Sequence, residues 1–238
     1  MAEGVRVKIC GLVRREDALV AEEVGADYLG VIVSAGFRRS VPLSSARAVV
    51  EGTRARKVAV MVDESANAAR AAARSLGAEV IQLHGEEDPT LLEALRADGV
   101  WTLWKAVRAR SLADVERAVE LYGGVADALL VEGWMDGVLG GGGARLALDP
   151  GRVRDLIPTG LDFVLAGGLD PETVGSAVRS FRPDVVDVSS GVERAIGAKD
   201  PGRVRAFVHE ARAAAGDRAS AEAPASRGVV RSTRRGAP

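Results

Sequence analysis

The sequence has very few of the residues that build disulfide networks and zinc sites. Its 238 residues contain 1 Cys and 2 His. These numbers exclude an internal disulfide framework and are too small for the ligand set of a structural zinc site. We therefore expect no bound metal, and a chain with one thiol suits the reducing cytoplasm.

An excess of one charge and long apolar runs are also absent. The 32 Lys and Arg residues nearly balance the 33 Asp and Glu residues, which leaves a formal net charge of −1. No global basic field therefore points to nucleic acid, although small anionic ligands stay possible. No apolar run approaches the roughly 20 residues of a membrane helix, and the first residues, MAEGVRVKICG, lack the layout of a signal peptide. We expect a cytoplasmic protein with no membrane or nucleic-acid partner.

From Val5 to about Ala215, short β-branched runs alternate with stretches rich in Ala, Arg and Glu that have a helical period. The predicted strands are Val5–Cys10, Tyr28–Val33, Lys57–Val62, Val80–His84, Thr102–Ala106, Ala128–Glu132, Asp162–Ala166 and Val185–Val188. The predicted helices are Glu16–Val24, Leu43–Glu51, Ala66–Leu76, Pro89–Ala97, Leu112–Leu121, Pro150–Leu156, Pro171–Ser180 and Pro201–Ala214. This alternation predicts a parallel sheet covered by helices.

Eight βα units indicate an α/β fold with a closed (β/α)₈ barrel, or TIM barrel, as a single domain over residues 1–215. An open, doubly wound sheet is the alternative, but the turn after the first strand lacks the Gly-x-Gly-x-x-Gly pattern typical of that fold. Residues 216–238 read GDRASAEAPASRGVVRSTRRGAP, with several Arg residues and almost nothing to bury. This composition predicts a disordered, mildly basic tail, to which we assign no function.

Two polar residues at strand ends are candidates for acid–base chemistry, because barrel active sites lie at the carboxyl ends of the strands. Cys10 ends the first strand, and alternation places Lys8 on the same face, one layer deeper. Backbone N–H dipoles there could favour the thiolate, which accepts a proton, although a lone Cys can equally be a small buried apolar residue. Glu132 ends the sixth strand and offers a carboxyl group across the barrel mouth; its alternative role is that of a solvated rim residue.

The loops after strands seven and eight have the composition of an anion site. The first contains Gly167 and Gly168, and the second contains Ser189, Ser190 and Gly191. Exposed backbone N–H groups beside a helix start bind phosphate, and barrels often do so in these loops. The two loops together predict a phosphorylated substrate, whereas each alone could merely close a tight turn.

The other candidates lie in the remaining loops at the same end of the barrel. Arg38 and Arg39 form either a clamp for an anionic substrate or a solvated rim. Gly140–Gly143 is a glycine run that suggests a mobile loop over the mouth. Further polar residues at strand ends are Gln82, His84, Lys105 and Asp187.

Several short motifs, in their order and spacing, resemble those of the phosphoribosylanthranilate isomerase family. The resemblance runs from about Val7 to Phe207 and includes Lys8-Ile9-Cys10-Gly11-Leu12, Gln82-Leu83-His84-Gly85-Glu86, Gly167-Gly168-Leu169 and Asp187-Val188-Ser189-Ser190-Gly191-Val192-Glu193. It implies an Amadori rearrangement of N-(5-phosphoribosyl)anthranilate to 1-(2-carboxyphenylamino)-1-deoxyribulose 5-phosphate in tryptophan biosynthesis. It also implies that no cofactor is needed.

The resemblance implies roles for most of the candidate residues. Cys10 is the general base that removes the proton at C2 of the ribose, and Glu132 is the general acid that protonates the ring oxygen, at a position where the family usually has an aspartate. Arg39 contacts the anthranilate end. The other implied substrate-binding residues are Lys8, Gln82, His84 and Asp187, and the implied phosphate-binding residues are Gly167, Gly168, Ser189, Ser190 and Gly191.

Two other functions and two oligomeric states stay open at this point. One alternative is a related phosphosugar enzyme, such as an indoleglycerol-phosphate synthase or the isomerase of the histidine pathway. The other is a phosphosugar-binding barrel with weakened catalysis, suggested by Glu132 and by the absence of a hydroxyl residue and a lysine in the glycine run. The chain could be a monomer or a homodimer.

Overall fold

The structure, a computed structural model, describes residues 4–133 and 146–222. Its barrel strands are β1 (Arg6–Ile9), β2 (Tyr28–Ile32), β3 (Arg56–Met61), β4 (Val80–Leu83), β5 (Thr102–Ala109), β6 (Ala128–Gly133), β7 (Asp162–Leu165) and β8 (Val185–Val188). The helices are α1 (Arg15–Glu23), α2 (Leu43–Val49), α3 (Ala66–Leu76), α4 (Pro89–Arg96), α5 (Leu112–Tyr122), α6 (Pro150–Leu156), α7 (Val174–Phe181) and α8 (Pro201–Glu222).

The eight strands close into a parallel barrel, because β1 pairs with both β2 and β8. In this register Lys8 lies opposite Tyr28 on one side and Asp187 on the other. A helix follows each strand, so the predicted (β/α)₈ barrel is confirmed and the open sheet is wrong. Closure also brings residues from the two ends of the chain together in one site.

Two layers of apolar side chains explain why the alternating strands fold in this way. Val7 and Ile9 pack outward in the large core between strands and helices, whereas Cys10 belongs to the smaller cluster inside the barrel. In that inner cluster, Tyr28 meets Trp104 edge-on, with ring centroids 4.9 Å apart. Period-two alternation therefore assigned the inward face of β1 correctly.

The helix starts follow the predicted signals, with one exception. Three prolines are the first residues of their helices: Pro89, Pro150 and Pro201. By contrast, α7 begins at Val174 and not at the predicted Pro171. The reason is a turn in which the Thr173 hydroxyl donates to the Asp170 carboxylate at 2.5 Å, so the chain becomes helical only after this turn.

The sequence did not predict the short elements between β8 and α8. A single 3₁₀ turn (Ser190–Val192) leads into a small hairpin, β9 (Glu193–Ala195) with β10 (Ala198–Lys199). Elements this short carry no readable periodicity. The hairpin lies beside the site described below.

The last helix, α8, extends past its predicted end at Ala214 and reaches Glu222. It therefore includes the first residues of the predicted tail 216–238, and residues 223–238 lie outside the described residues. The glycine run 140–143 lies outside them as well. The domain boundary at residue 215 stays a prediction. Among the described residues, no helix has the length and apolar character that crossing a membrane requires.

Candidate active site at the carboxyl end of the barrel

A buried ion pair lies directly beneath Cys10. The Nζ atom of Lys8 donates to Oδ1 of Asp187 at 3.0 Å, and Lys8 is fully buried. Burial by itself lowers the pKa of Lys8, but the negative Asp187 and the neighbouring Cys10 outweigh it, so the net pKa is raised. Lys8 is therefore a fixed positive charge within the barrel.

Cys10 follows the end of β1, and its backbone N–H donates to the Val188 carbonyl at 2.8 Å. Burial raises the pKa of the Cys10 thiol, Lys8 opposes that effect, and Asp187 adds to it, so the net pKa is raised. The expectation that nearby dipoles favour the thiolate is therefore outweighed by burial. Burial therefore favours the neutral thiol, while the adjacent Lys8 favours the thiolate.

Gly30 on β2 gives the thiol its space. A Cβ atom added at Gly30 would lie 2.8 Å from the Cys10 sulfur. Any side chain at this position would displace the thiol from the barrel mouth. Gly30 was not among the residues predicted from the sequence, although a glycine inside a strand pattern often marks a close approach.

Three of the predicted site residues form a hydrogen-bonded row. Oε1 of Glu132, on β6, lies 3.1 Å from Nε2 of His84. Nδ1 of the same ring lies 2.8 Å from Nε2 of Gln82, which is fully buried on β4. The structure thus brings Gln82, His84 and Glu132 together at the carboxyl end, as the sequence predicted for each separately.

Arg39 forms a buried cluster with two residues from the hairpin region. Its Nε and Nη2 atoms donate to the two carboxylate oxygens of Glu193 at 2.7 and 2.6 Å. Lys199 donates to Glu193 and to the Ser189 carbonyl, both at 3.0 Å. Burial would raise the pKa of Glu193, but Arg39 and Lys199 lower it overall. Burial lowers the pKa of Lys199, with Glu193 opposing.

The two glycine-bearing loops after β7 and β8 pack against each other. Gly167 and Gly168 have φ values of 86° and 60°, which favour glycine. A Cβ atom at Gly191 would overlap the Leu169 carbonyl oxygen. The close contact places the loop of Gly167 and Gly168 directly beside the turn that begins at Ser190, so the two predicted halves of the anion site are adjacent.

Lys105 has a structural role in this region. Its ammonium donates to the carbonyls of Gly85 at 2.7 Å and Ala106 at 2.9 Å, and it lies 3.0 Å from the Glu87 carboxylate. These contacts account for all three N–H donors of a lysine. Lys105 therefore holds the loop after β4 and has no donor left for a substrate.

The family model for N-(5'-phosphoribosyl)anthranilate isomerase matches residues 7–210. The chain belongs to this family. It is 40% identical over 215 residues to the isomerase of Myxococcus xanthus, covering 87% of this chain and 96% of that one. It is 37% identical over 216 residues to that of Pseudomonas fluorescens, with 89% and 98% covered.

Solved structures of phosphoribosylanthranilate isomerases share the fold. The Thermotoga maritima enzyme is 34% identical, with a TM-score of 0.78 over 88% of this chain and 99% of that one. A second structure holds reduced 1-(o-carboxyphenylamino)-1-deoxyribulose 5-phosphate and has a TM-score of 0.75 at 34% identity, with the same coverage. The predicted family resemblance is confirmed, and with it the assignment as an intramolecular isomerase.

Most of the charged groups of this candidate site were predictable from the sequence of the isomerase, but their partners were not. Glu193 appeared only as the end of a motif, and Lys199 was not singled out. A signal existed for Lys199, because a lysine two residues before the Pro201 that begins α8 lies in the loop region of the barrel mouth. Its partner could not be inferred, since the hairpin that brings Lys199 to Glu193 has no sequence signature.

Proposed function

We propose that this chain catalyses the Amadori rearrangement of N-(5-phosphoribosyl)anthranilate with Cys10 as general base and Glu132 as general acid. The observation that carries the proposal is their placement in a barrel of this family. Cys10 lies above the Lys8–Asp187 pair and Glu132 lies against His84, both at the carboxyl end of the strands.

The acid step opens the sugar ring. Glu132 gives its proton to the ribose ring oxygen, the bond between this oxygen and C1 breaks, and the anthranilate nitrogen shares its lone pair with C1. Glu132 suits this step because only 11% of its side chain is exposed and one oxygen is already held by His84. A carboxyl group in such surroundings acts at a fixed position.

The base step removes the proton at C2. The thiolate form of Cys10 takes this proton. The electrons of the C–H bond form the C1–C2 double bond, and the π electrons of the C1–N double bond return to the anthranilate nitrogen. The resulting enol gains a proton at C1 and loses the proton of its C2 hydroxyl, which gives the ketone product. Lys8 supports the step, because its positive charge next to Cys10 lowers the cost of forming the thiolate in a buried site. The net chemistry consists of proton transfers.

The protein has groups suited to bind the two charged ends of the substrate. We assign the phosphate to Gly167, Gly168 and the segment Ser189–Gly191, where two loops with backbone N–H groups adjoin. We assign the anthranilate end to Arg39, whose guanidinium is held by Glu193 on Nε and Nη2. Nη1 stays on the opposite edge of the guanidinium fork as the donor for a carboxylate.

The test is the loss of phosphoribosylanthranilate fluorescence, with the substrate generated in situ. We expect turnover by the full chain, and a loss of about 10²- to 10⁴-fold in kcat for Cys10→Ala, which is the usual contribution of a general base. The matched control is His209→Ala, since His209 is an exposed residue on α8. Equal activity of Cys10→Ala and the control would contradict the assignment of the base.

Replacing Glu132 separates the isomerase from the weakened binding barrel that the sequence left open. Glu132→Gln keeps the size of the side chain and removes the acid, so we expect a loss similar to that of Cys10→Ala. Glu132→Asp keeps the acid on a shorter side chain and should retain more activity than Glu132→Gln. A well-folded full chain that binds the reduced product analogue without turnover would favour the binding barrel.

The cellular location and the assembly of the chain stay proposals. We propose a cytoplasmic protein that acts on a small phosphosugar substrate, without nucleic-acid or membrane partners. Monomer and homodimer are both compatible with the barrel, and one related structure shows monomers of the dimeric isomerase from Thermotoga maritima. Sedimentation velocity of the full chain distinguishes the two states.

A further inference from the structure

The row formed by Gln82, His84 and Glu132 has a direction. The amide nitrogen of Gln82 can only donate, so Nδ1 of His84, at 2.8 Å, accepts. A neutral imidazole then carries its proton on Nε2 and donates it to Oε1 of Glu132, 3.1 Å away. The three side chains thus form two hydrogen bonds that run from the barrel interior to the carboxyl group.

The orientation of the Gln82 amide decides this direction. With the nitrogen on His84, Oε1 of Gln82 is buried without a hydrogen-bond partner among the described residues. An unpaired carbonyl oxygen is less rare in proteins than an unpaired N–H. In the opposite orientation, Oε1 of Gln82 would face Nδ1 of His84, and Nδ1 would carry the ring proton. Nε2 of His84 could then not donate to Glu132. The two orientations therefore predict opposite tautomers of one ring.

Glu132 needs such a partner more than a shorter carboxylic acid would. The Glu132 side chain has three rotatable bonds. This conformational freedom lowers the rate of proton transfer unless one rotamer is selected. A hydrogen bond to Oε1 selects the rotamer and leaves Oε2 to carry the proton that goes to the ring oxygen. Gln82 is fully buried on β4, and its hydrogen bond to His84 orients the ring that in turn holds Glu132.

We propose that His84, held by Gln82 in its Nε2–H tautomer, is a positioning residue that orients the Glu132 carboxyl group toward the substrate. This role differs from the direct substrate contact expected for His84 from the sequence. It rests on the proposed acid function of Glu132. The tautomer itself does not depend on turnover, so the structural and the catalytic parts can be tested apart.

The tautomer is tested by ¹⁵N NMR of the imidazole rings in the full chain. The chain has 2 His, and His209, with 75% of its side chain exposed, is the internal reference for an exposed ring. The spectra are recorded at rising pH until the nitrogen shifts of both rings stop changing, so that the neutral rings are compared. We expect a protonated Nε2 and an unprotonated Nδ1 for His84. A protonated Nδ1 would overturn the proposal.

Removing the amide tests the role of Gln82. In Gln82→Met, which keeps the length of the side chain, we expect the nitrogen shifts of His84 to move toward those of His209. Gln82→Leu is the second variant if Gln82→Met does not fold, with circular dichroism as the check. Unchanged His84 shifts in a folded variant would show that Gln82 does not set the tautomer and would overturn this part.

Two replacements of His84 test the positioning of Glu132. The amide of His84→Gln reaches about as far as Nε2 and can still donate to Glu132, whereas the amide of His84→Asn ends near the position of Nδ1. We expect His84→Asn to lose about a hundredfold in kcat, as a misplaced catalytic group does. We expect His84→Gln to stay within about tenfold of the full chain. KM should change little in both.

The pattern of kcat and KM changes shows whether the positioning role of His84 or the proposed function is wrong. Equal kcat losses in His84→Gln and His84→Asn, or losses confined to KM, would overturn the positioning role and favour a simple substrate contact. His209→Asn is the control, since this exposed residue on α8 lies outside the site. Absence of turnover by the unmodified chain would refute the proposed function, while the NMR result would still stand for the hydrogen-bonded row.

Discussion

The two ends of the barrel carry similar ion pairs in very different surroundings. At the amino end, Arg6 contacts Asp162 at 2.8 Å, and their side chains are 32% and 39% exposed. Two residues further along the same strand, Lys8 contacts Asp187 at 3.0 Å, with 0% and 9% exposed. Both pairs join β1 to a late strand, so the difference between them comes from burial and not from topology.

Burial changes what an ion pair does. The amino-end pair is in contact with water, which screens it and leaves little net stabilisation. The carboxyl-end pair cannot lose one partner without leaving the other charged and desolvated. The same coupling lets Lys8 and Asp187 act in opposite directions on the pKa of Cys10. The end of the barrel that holds the site therefore has charges whose energies depend on one another.

The largest effect on stability is expected at the buried pair of Lys8 and Asp187. Asp187→Asn leaves Lys8 buried without its counter-charge, and we expect a loss of about 3–5 kcal/mol in the free energy of unfolding. Urea denaturation at pH 7 measures it. Removal of the negative charge should also lower the pKa of Cys10, which the pH dependence of thiol alkylation reports. A loss below about 1 kcal/mol would contradict the role given to burial.

Glu193→Gln tests the second buried cluster and has a smaller expected effect. The variant keeps an acceptor for Arg39 but removes the charge, so we expect a loss of about 2 kcal/mol, as for a hydrogen bond to a charged group. Because the folded pKa of Glu193 is lowered, its contribution is complete above the ordinary pKa of about 4.3 and is lost as the pH falls through the folded value.

The measurement for Glu193→Gln is urea denaturation of both proteins at several pH values between neutral and acid. The difference between them should be constant near neutral pH and should shrink in acid. A difference that does not change with pH would show that the cluster stabilises the fold by packing alone. Lys199, which shares Glu193 with Arg39, would then have no electrostatic role there.

Much of the fold was predictable because its signals are local and repeated. Alternation on β1 placed Lys8 and Cys10 on one inward face, and the barrel closed as eight βα units required. The pairing of Arg39 with Glu193 was not predictable, because these residues are separated by 154 positions and meet only when β8 returns to β1. Burial of Cys10 among charged groups, which decides its pKa, is likewise a property of the closed barrel.

The pH dependence of protein stability tests the effect of burying Cys10. Its folded pKa is raised above that of an unfolded thiol, about 8.5. The stabilisation from burying the neutral thiol is therefore complete below this value and is lost as the pH rises through the folded pKa. Relative to Cys10→Ala, which has no thiol to ionise, the full chain should lose stability on going from pH 8 to pH 10.

Thermal denaturation of both proteins at several pH values gives this difference directly. Groups that do not contact Cys10 contribute equally to both proteins and cancel, whereas Lys8, whose pKa Cys10 helps to raise, is part of the measured difference. If Cys10→Ala lost as much stability as the full chain over this range, the thiol would ionise as easily in the folded chain as in the unfolded one. Lys8 would then fully offset the burial of Cys10.

The smallest effect is expected at the amino end. Asp162→Asn breaks the Arg6 pair, but both side chains reach water and Arg6 keeps its hydrogen bond to the Tyr28 hydroxyl at 3.1 Å. We expect a loss of less than about 1 kcal/mol, measured by urea denaturation, and unchanged isomerase activity. If Asp162→Asn were as damaging as Asp187→Asn, the two ends would be energetically alike, and burial could not be the reason why one of them holds the reactive thiol.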